Sequence, residues 1–365
     1  MEFRASSIVH DVFLKKFFLL ALMLILICRT VDAEVSYEMK GNIESRYLRH
    51  DGEWASITNW FEVSVSGCRS AIRAGSINDK AIEYFEYVCD GTKSALLIKY
   101  YPPEMRGSRS INQANLIINS GPVPEYGFGL ITHVWLACAS SCFFQKKGGQ
   151  IEPIFNMGPG FREHHLKVEA NWSLAATNPK LPEWMCDFTD GKVYKEENGV
   201  FQTEPLPTPF DKPTTNAIFS VLAWRKLADL RLPSKWQVIE YKPDFTNQTL
   251  EAWKIVTAYT TAVRAGTSRD SFAIQAPQYT WVTDRTLEAR GVPVAEFSYI
   301  STNGNILSLS EMSQQRNFMP ILKEGVKKVL VPKKRSHVVI AVSILCFLTV
   351  VVFFGRRSAA DGKGS

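Results

Sequence analysis

Few side chains in this sequence have the type and spacing to carry chemistry. Glu163-His164-His165 offers a base or two metal ligands, but adjacent strand residues point to opposite faces, and two ligands leave a tetrahedral site half built. Cys138 and Cys142, four residues apart, share a helix face. That spacing suits a soft-metal pair or a redox dithiol, and equally two small thiols packed in a core. Asp187 and Asp190 flank a turn at Asp190-Gly191. No Gly-x-Ser-x-Gly elbow, His-Glu-x-x-His helix or phosphate-cradling glycine loop occurs, which removes the commonest hydrolase and nucleotide signatures. Asn171-Trp172-Ser173 and Asn247-Gln248-Thr249 are glycosylation acceptors only in a eukaryotic secretory pathway. These residues name no catalytic group, metal ligand or cofactor, and the expectation is a protein that is not an enzyme.

Two apolar runs bracket the chain. Phe17–Cys28 follows Lys15 and Lys16 and precedes Val31-Asp32-Ala33, the pattern of a signal peptide over residues 1–33 with cleavage after Ala33; an uncleaved signal anchor is the alternative. Val338–Phe354 is uncharged for 17 residues, the lower limit for a membrane-spanning helix, and Arg356 and Arg357 follow it. The expected topology is one span, with the body outside (periplasmic or at the cell surface) and the tail 355–365 inside. Lys333, Lys334 and Arg335 in the basic segment 319–337 oppose the positive-inside rule, but the export signal acts first, and they can rest on anionic headgroups.

Hydrophobic residues at 45% and aromatics at 12% support a packed core between these runs. The formal charge is +6, much of it in Lys323–Arg335, so no basic footprint for nucleic acid lies on the body. Of seven cysteines, Cys28 and Cys346 fall in the apolar runs, leaving Cys68, Cys89, Cys138, Cys142 and Cys186 in a compartment that permits disulfides.

The first half has a period of two, with Phe61, Val63 and Val65 alternating with Glu62, Ser64 and Ser66. Two-residue turns at Ser66-Gly67 and Asp90-Gly91, with a connection at Gly75–Lys80, align Phe61, Ile72, Phe85 and Leu96 in one row and Val63, Ser70, Tyr87 and Ser94 in the next. The same register sets Cys68 opposite Cys89 and predicts a disulfide between them. Phe128–Phe144 is apolar nearly all round, with Ile131, Trp135, Cys138 and Cys142 on one stripe, and predicts a helix buried on the sheet. Pro205, Pro207, Pro209 and Pro213 mark a linker over 201–213 between a first domain (34–200) and a second β-rich half (214–318). In that half, strands are predicted over Ile218–Trp224, Trp236–Tyr241, Trp253–Arg264 and Val294–Thr302, the last turning at Asn303-Gly304 into Ile306–Leu309. The fold class is α+β, mainly a curved antiparallel meander with covering helices.

Trp60–Arg73 followed by Tyr87-Val-Cys-Asp-Gly-Thr92 resembles successive strands of the lipoprotein-carrier (LolA/LolB-like) fold, over roughly residues 35–101. Trp135–Phe144, Thr215–Phe219 and Leu232-Pro233 resemble a set of uncharacterised exported bacterial proteins of the planctomycete and verrucomicrobial kind, which imports no activity. The carrier resemblance implies an incomplete barrel whose cavity holds acyl chains, with Phe61, Val63, Ile72, Phe85, Tyr87, Leu96 and Trp135 as the apolar ligand face. Three readings follow: a membrane-anchored protein binding a lipid or other apolar ligand, a non-catalytic structural or interaction module of the cell envelope, and an enzyme of unidentified type. N-terminal sequencing of the mature protein should begin at Glu34, and protease added on the outer side of the anchoring membrane should degrade the body. A mature chain that still carries Phe17–Cys28 would refute the topology.

Overall fold

The computed structural model describes residues 35–76, 82–102, 113–124, 129–147, 150–153, 169–175, 179–197, 200–268, 272–273, 276–289 and 292–323. The expected signal peptide, the span Val338–Phe354 and Glu163-His164-His165 lie outside these residues. Among those described, no helix is long and apolar enough to cross a membrane.

Strict alternation makes the long strands. In β1 (Ser36–Leu48) Tyr37, Met39 and Ile43 are buried while Lys40, Asn42 and Glu44 are exposed. The following strands are β2 (Trp54–Ser66), β3 (Arg69–Ser76), β4 (Ile82–Cys89), β5 (Ser94–Tyr100) and β6 (Ala114–Asn119). Helix α1 (Leu130–Ala139) comes next, then β7 (Phe144–Lys147), β8 (Gln150–Pro153), β9 (Glu169–Leu174), β10 (Pro182–Phe188), β11 (Lys192–Glu197) and β12 (Val200–Pro205). The chain continues through β13 (Thr215–Leu227), β14 (Leu230–Asp244), β15 (Thr249–Ala265), β16 (Thr280–Ala289), β17 (Val292–Ser301) and the short helix α2 (Leu309–Ser313). Thirteen strands form one sheet in the order β17-β16-β6-β5-β4-β3-β2-β1-β15-β14-β13-β10-β9, antiparallel at every step from β6 to β9.

Pairing of β1 with β15 joins the two halves of the chain directly, so residues 201–213 do not separate two sheets. Val200–Pro205 is itself a strand, paired with β11. The proline spacing marks only the loop that follows, and a pairing between strands more than 200 residues apart leaves no local signal.

Each of the three predicted hairpins is displaced by two residues. Ser66 pairs with Arg69, which puts Gly67 (φ +57°) first and Cys68 second in the turn, and a glycine with positive φ at the first position is what a tight II′ hairpin requires. The next turn is a four-residue loop, Asp90–Lys93, whose Asp90 carboxylate accepts the backbone N–H groups of Thr92 and Lys93, both at 2.8 Å. The true rows are Phe61-Ala74-Phe85-Ile98 and Val63-Ile72-Tyr87-Leu96. A shift of two preserves the face of every side chain, so the predicted apolar set stays together.

The sheet curls around α1, which packs on β3, β2 and β14. Those outer two strands are four positions apart, about 19 Å if flat, whereas a helix with its side chains is about 10–12 Å wide. The ring of Phe61, from β2, meets that of Trp236, from β14, with centroids 5.4 Å apart. Between them β1 bends at a bulge between Lys40 and Gly41. Gly41 is required there, because a Cβ would strike the Tyr259 carbonyl oxygen and come within 2.5 Å of the Phe61 ring.

The helix expected over 128–144 is shorter than predicted. Ser140 donates from Oγ to Leu136 O (2.7 Å) at the end of α1, and a 3-10 turn, Ser141–Phe143, leads into β7. Ile306–Leu309 is not a strand either. Gly304 turns the chain with φ +80°, and Ser308 opens α2 by a capping box with Glu311.

The described residues fall into two compact units, one running from Val35 to Thr283 with Ser298–Ile306, the other comprising Asp284–Phe297 and residues 307–323. Within the second unit Arg285 pairs with Glu296 at 3.1 Å, and the rings of Phe297 and Phe318 meet edge to face.

Gly41→Ala should lower the free energy of unfolding by about 3 kcal/mol, measured by urea denaturation, because the added methyl has no room. Gly121→Ala, where nothing lies within 4 Å, is the control and should change stability by less than about 0.5 kcal/mol. Equal effects would mean that Gly41 does not set the bend.

Candidate functional site

The inner face of the curled sheet and the helix it encloses form the candidate site. Phe61, Val63, Ile72, Tyr87, Leu96 and Trp135 lie in one buried cluster, and Phe85 packs against it partly buried. The structure thus brings all seven side chains of the predicted face together. The cluster continues across the sheet through Val256 and Ala258 of β15, Trp236 and Val238 of β14, and Phe219 of β13.

Every residue of α1 from Ile131 to Ala139 is buried, so its polar groups need partners in the sheet. Tyr37 Oη donates to the Cys138 carbonyl oxygen. The Trp236 indole N–H donates to His133 Nδ1 at 3.3 Å. Beyond the end of the helix, Cys142 forms a disulfide with Cys68, with Cα atoms 5.4 Å apart. Burial pushes the Tyr37 hydroxyl and the Cys138 thiol well above their ordinary pKa values.

This disulfide replaces the predicted Cys68–Cys89 bond. The two-residue shift moves Cys68 from the ladder to the hairpin tip and sets Ser70 opposite Cys89. From the tip Cys68 reaches the chain leaving α1, while Cys89 is a buried free thiol whose Sγ accepts from the Gly91 N–H at 3.4 Å. Cys138 is likewise free, so Cys138 and Cys142 are not a redox pair. Cys186 is the remaining free thiol among the described residues.

A polar row that sequence reasoning missed crosses the same face. Trp236 and Val238 alternate inward on β14, and Glu240 follows in the same phase; Ala258, Val256 and Lys254 do so on β15, and Met185 and Asp187 on β10. The ladder pairs Asp187 with Ala217, Ala217 with Glu240, and Glu240 with Lys254. Lys254 Nζ lies 2.6 Å from Glu240 Oε1, with the two side chains 26% and 16% exposed. Asn216 donates to Asp187 Oδ2 at 2.7 Å. Burial raises the Asp187 pKa to about 6 against that hydrogen bond, and the charge of Glu240 adds to the rise. Burial, with Lys254 nearby, lowers His133 to about 3 and keeps its ring neutral. The inner face is therefore amphipathic: a broad apolar area ends in two carboxylates and one ammonium. Among the described residues no group of three or more His, Cys, Asp or Glu side chains is placed to hold a metal ion.

Peptide mapping without reduction should recover Cys68 joined to Cys142, with Cys89 and Cys138 alkylated only after unfolding; a Cys68–Cys89 peptide would contradict the register. Asp187 generates a pH dependence. Its folded pKa is raised, so below about pH 4 it is protonated in both states and costs nothing. Between about 4 and 6 the unfolded chain ionises first and stability falls, and above 6 the loss of roughly 2–3 kcal/mol is complete. Asp187→Asn should flatten urea-denaturation stability across that window and stabilise the protein at pH 7. An unchanged slope would show that Asp187 ionises freely.

No protein-family model and no curated protein sequence matches the chain. Among solved structures, a LolA superfamily protein from Nitrosomonas europaea is similar over 65% of this chain and 89% of its own, at 8% identity and a TM-score of 0.29. A DUF1329 family protein from Desulfovibrio piger is similar over 67% of this chain and 91% of its own, at 6% identity and a TM-score of 0.24.

Proposed function

We propose that the protein is an exported, membrane-anchored, non-catalytic binding protein that takes an amphipathic ligand of the lipid class on the inner face of its sheet. The observation that carries this reading is the border of the apolar cluster. Phe85, Ile98 and Leu130, and across the sheet Val221, Trp224 and Val263, pack against the cluster yet remain only partly buried. A ten-residue helix is about 15 Å long, too small to cover an apolar face that extends from β5 to β10. In this reading the partly exposed margin receives an acyl chain, and the row Asp187–Glu240–Lys254 supplies a polar end for a headgroup. Export and anchoring rest on the leader and on Val338–Phe354, and a disulfide that ties α1 to the sheet suits an oxidising compartment.

A second reading, an interaction module of the envelope, is favoured by Trp184 and Tyr259, which stand 36% and 40% exposed on the outer face. Native mass spectrometry of the full chain, taken from its own membranes into a maltoside detergent, separates the two. A retained lipid mass is expected, reduced about tenfold in Val263→Asp through the loss of one apolar contact and the burial of a charge. A ligand-free chain, or one carrying only a protein partner, would overturn the lipid reading.

A further inference from the structure

We propose that His133 is the polar anchor of this ligand, donating a hydrogen bond from Nε2–H to the carbonyl oxygen of an acyl ester held on the inner face. The inference rests on the lipid reading and names the ligand's reactive polar class within it.

The tautomer follows from the partner. An indole N–H only donates, so His133 Nδ1, which meets the Trp236 N–H at 3.3 Å, must present its lone pair. The ring is neutral in this buried position, and its single proton is therefore on Nε2. His133 is 1% exposed, and Nε2 finds no hydrogen-bond partner among the described residues. A buried donor left without an acceptor is costly, and native interiors leave few of them. The missing partner is an acceptor.

Burial decides what kind. Among the described residues, the charged side chains on the stretch of inner face beyond Trp236 are Asp187, Glu240 and Lys254, the last two paired with each other. A free carboxylate or phosphate would give up its hydration for one neutral donor at this buried position, whereas an ester carbonyl is a neutral acceptor and carries no such penalty. At the beginning of α1 Gly129 and Leu130 are partly exposed, and His133 lies one turn further in, against the indole of Trp236. An acyl ester entering beside Leu130 can place its carbonyl at Nε2, its chain on the apolar face and its headgroup toward the polar row.

Two probes isolate the carbonyl: dioleoylglycerol and its dialkyl-ether counterpart, which has the same chains and no carbonyl. Native mass spectrometry of the full chain in a maltoside detergent, itself free of ester groups, should show the ester retained about tenfold better than the ether. His133→Phe should retain both at the level of the ether, and His133→Gln, which keeps a donor, should recover part of the preference. Because either variant can fail to fold, the wild-type complex is also read by infrared spectroscopy with a 13C-labelled ester. Its carbonyl band should lie at the lower frequency of a hydrogen-bonded ester. Equal retention of the two probes by the wild type, or a free-carbonyl band, would mean that a buried water meets Nε2, and would overturn the anchor while leaving lipid binding intact. Retention of neither probe would overturn the lipid reading and the anchor with it.

Discussion

The enclosure of α1 is the constraint from which the rest of this architecture follows. A helix with no solvent-facing side needs apolar surface on opposite flanks, and a single sheet provides that only by curling until β3 and β14 both touch it. The curl in turn requires β1 to bend where Phe61 lies across Gly41, and it brings aromatic rings of β2 and β14 into contact. Because α1 carries polar atoms into this interior, the sheet must answer them. Tyr37 does so near the helix end, Trp236 in the first turn, and the Cys68–Cys142 bond fastens the chain just beyond.

Much of the inner face could be read from period-two alternation, because alternation reports faces and not partners. Phe61, Val63, Ile72, Phe85, Tyr87 and Leu96 have one parity, and displacing three hairpins by two residues leaves that parity unchanged. Partner identity depended on turn geometry, and there the position of Gly67 within its turn decided the outcome. With glycine first, Cys68 falls at the tip and bonds to Cys142 instead of Cys89. The β1–β15 pairing could not be anticipated, since no turn links the two strands. The polar row was within reach of the same reasoning: Trp236, Val238 and Glu240 are in phase, as are Ala258, Val256 and Lys254, so a charge on the apolar parity was the available signal.

Amphipathicity of the inner face connects this architecture to function. A wholly apolar interior would be explained by packing alone, but a buried carboxyl beside a partly buried ion pair lowers stability and needs another reason to persist. The proposed binding of a molecule that is apolar along most of its length and polar at one end would supply that reason. It would also account for apolar side chains left partly exposed at the border of an otherwise buried cluster.

A crystal structure of the full chain as isolated from its own cells tests this account most directly. The account predicts continuous electron density for an acyl chain on the inner face, entering beside Leu130, with its polar end toward Glu240 and Lys254. An inner face closed by protein side chains and water, with Phe85, Ile98 and Val263 packed against neighbouring parts of the chain, would contradict it.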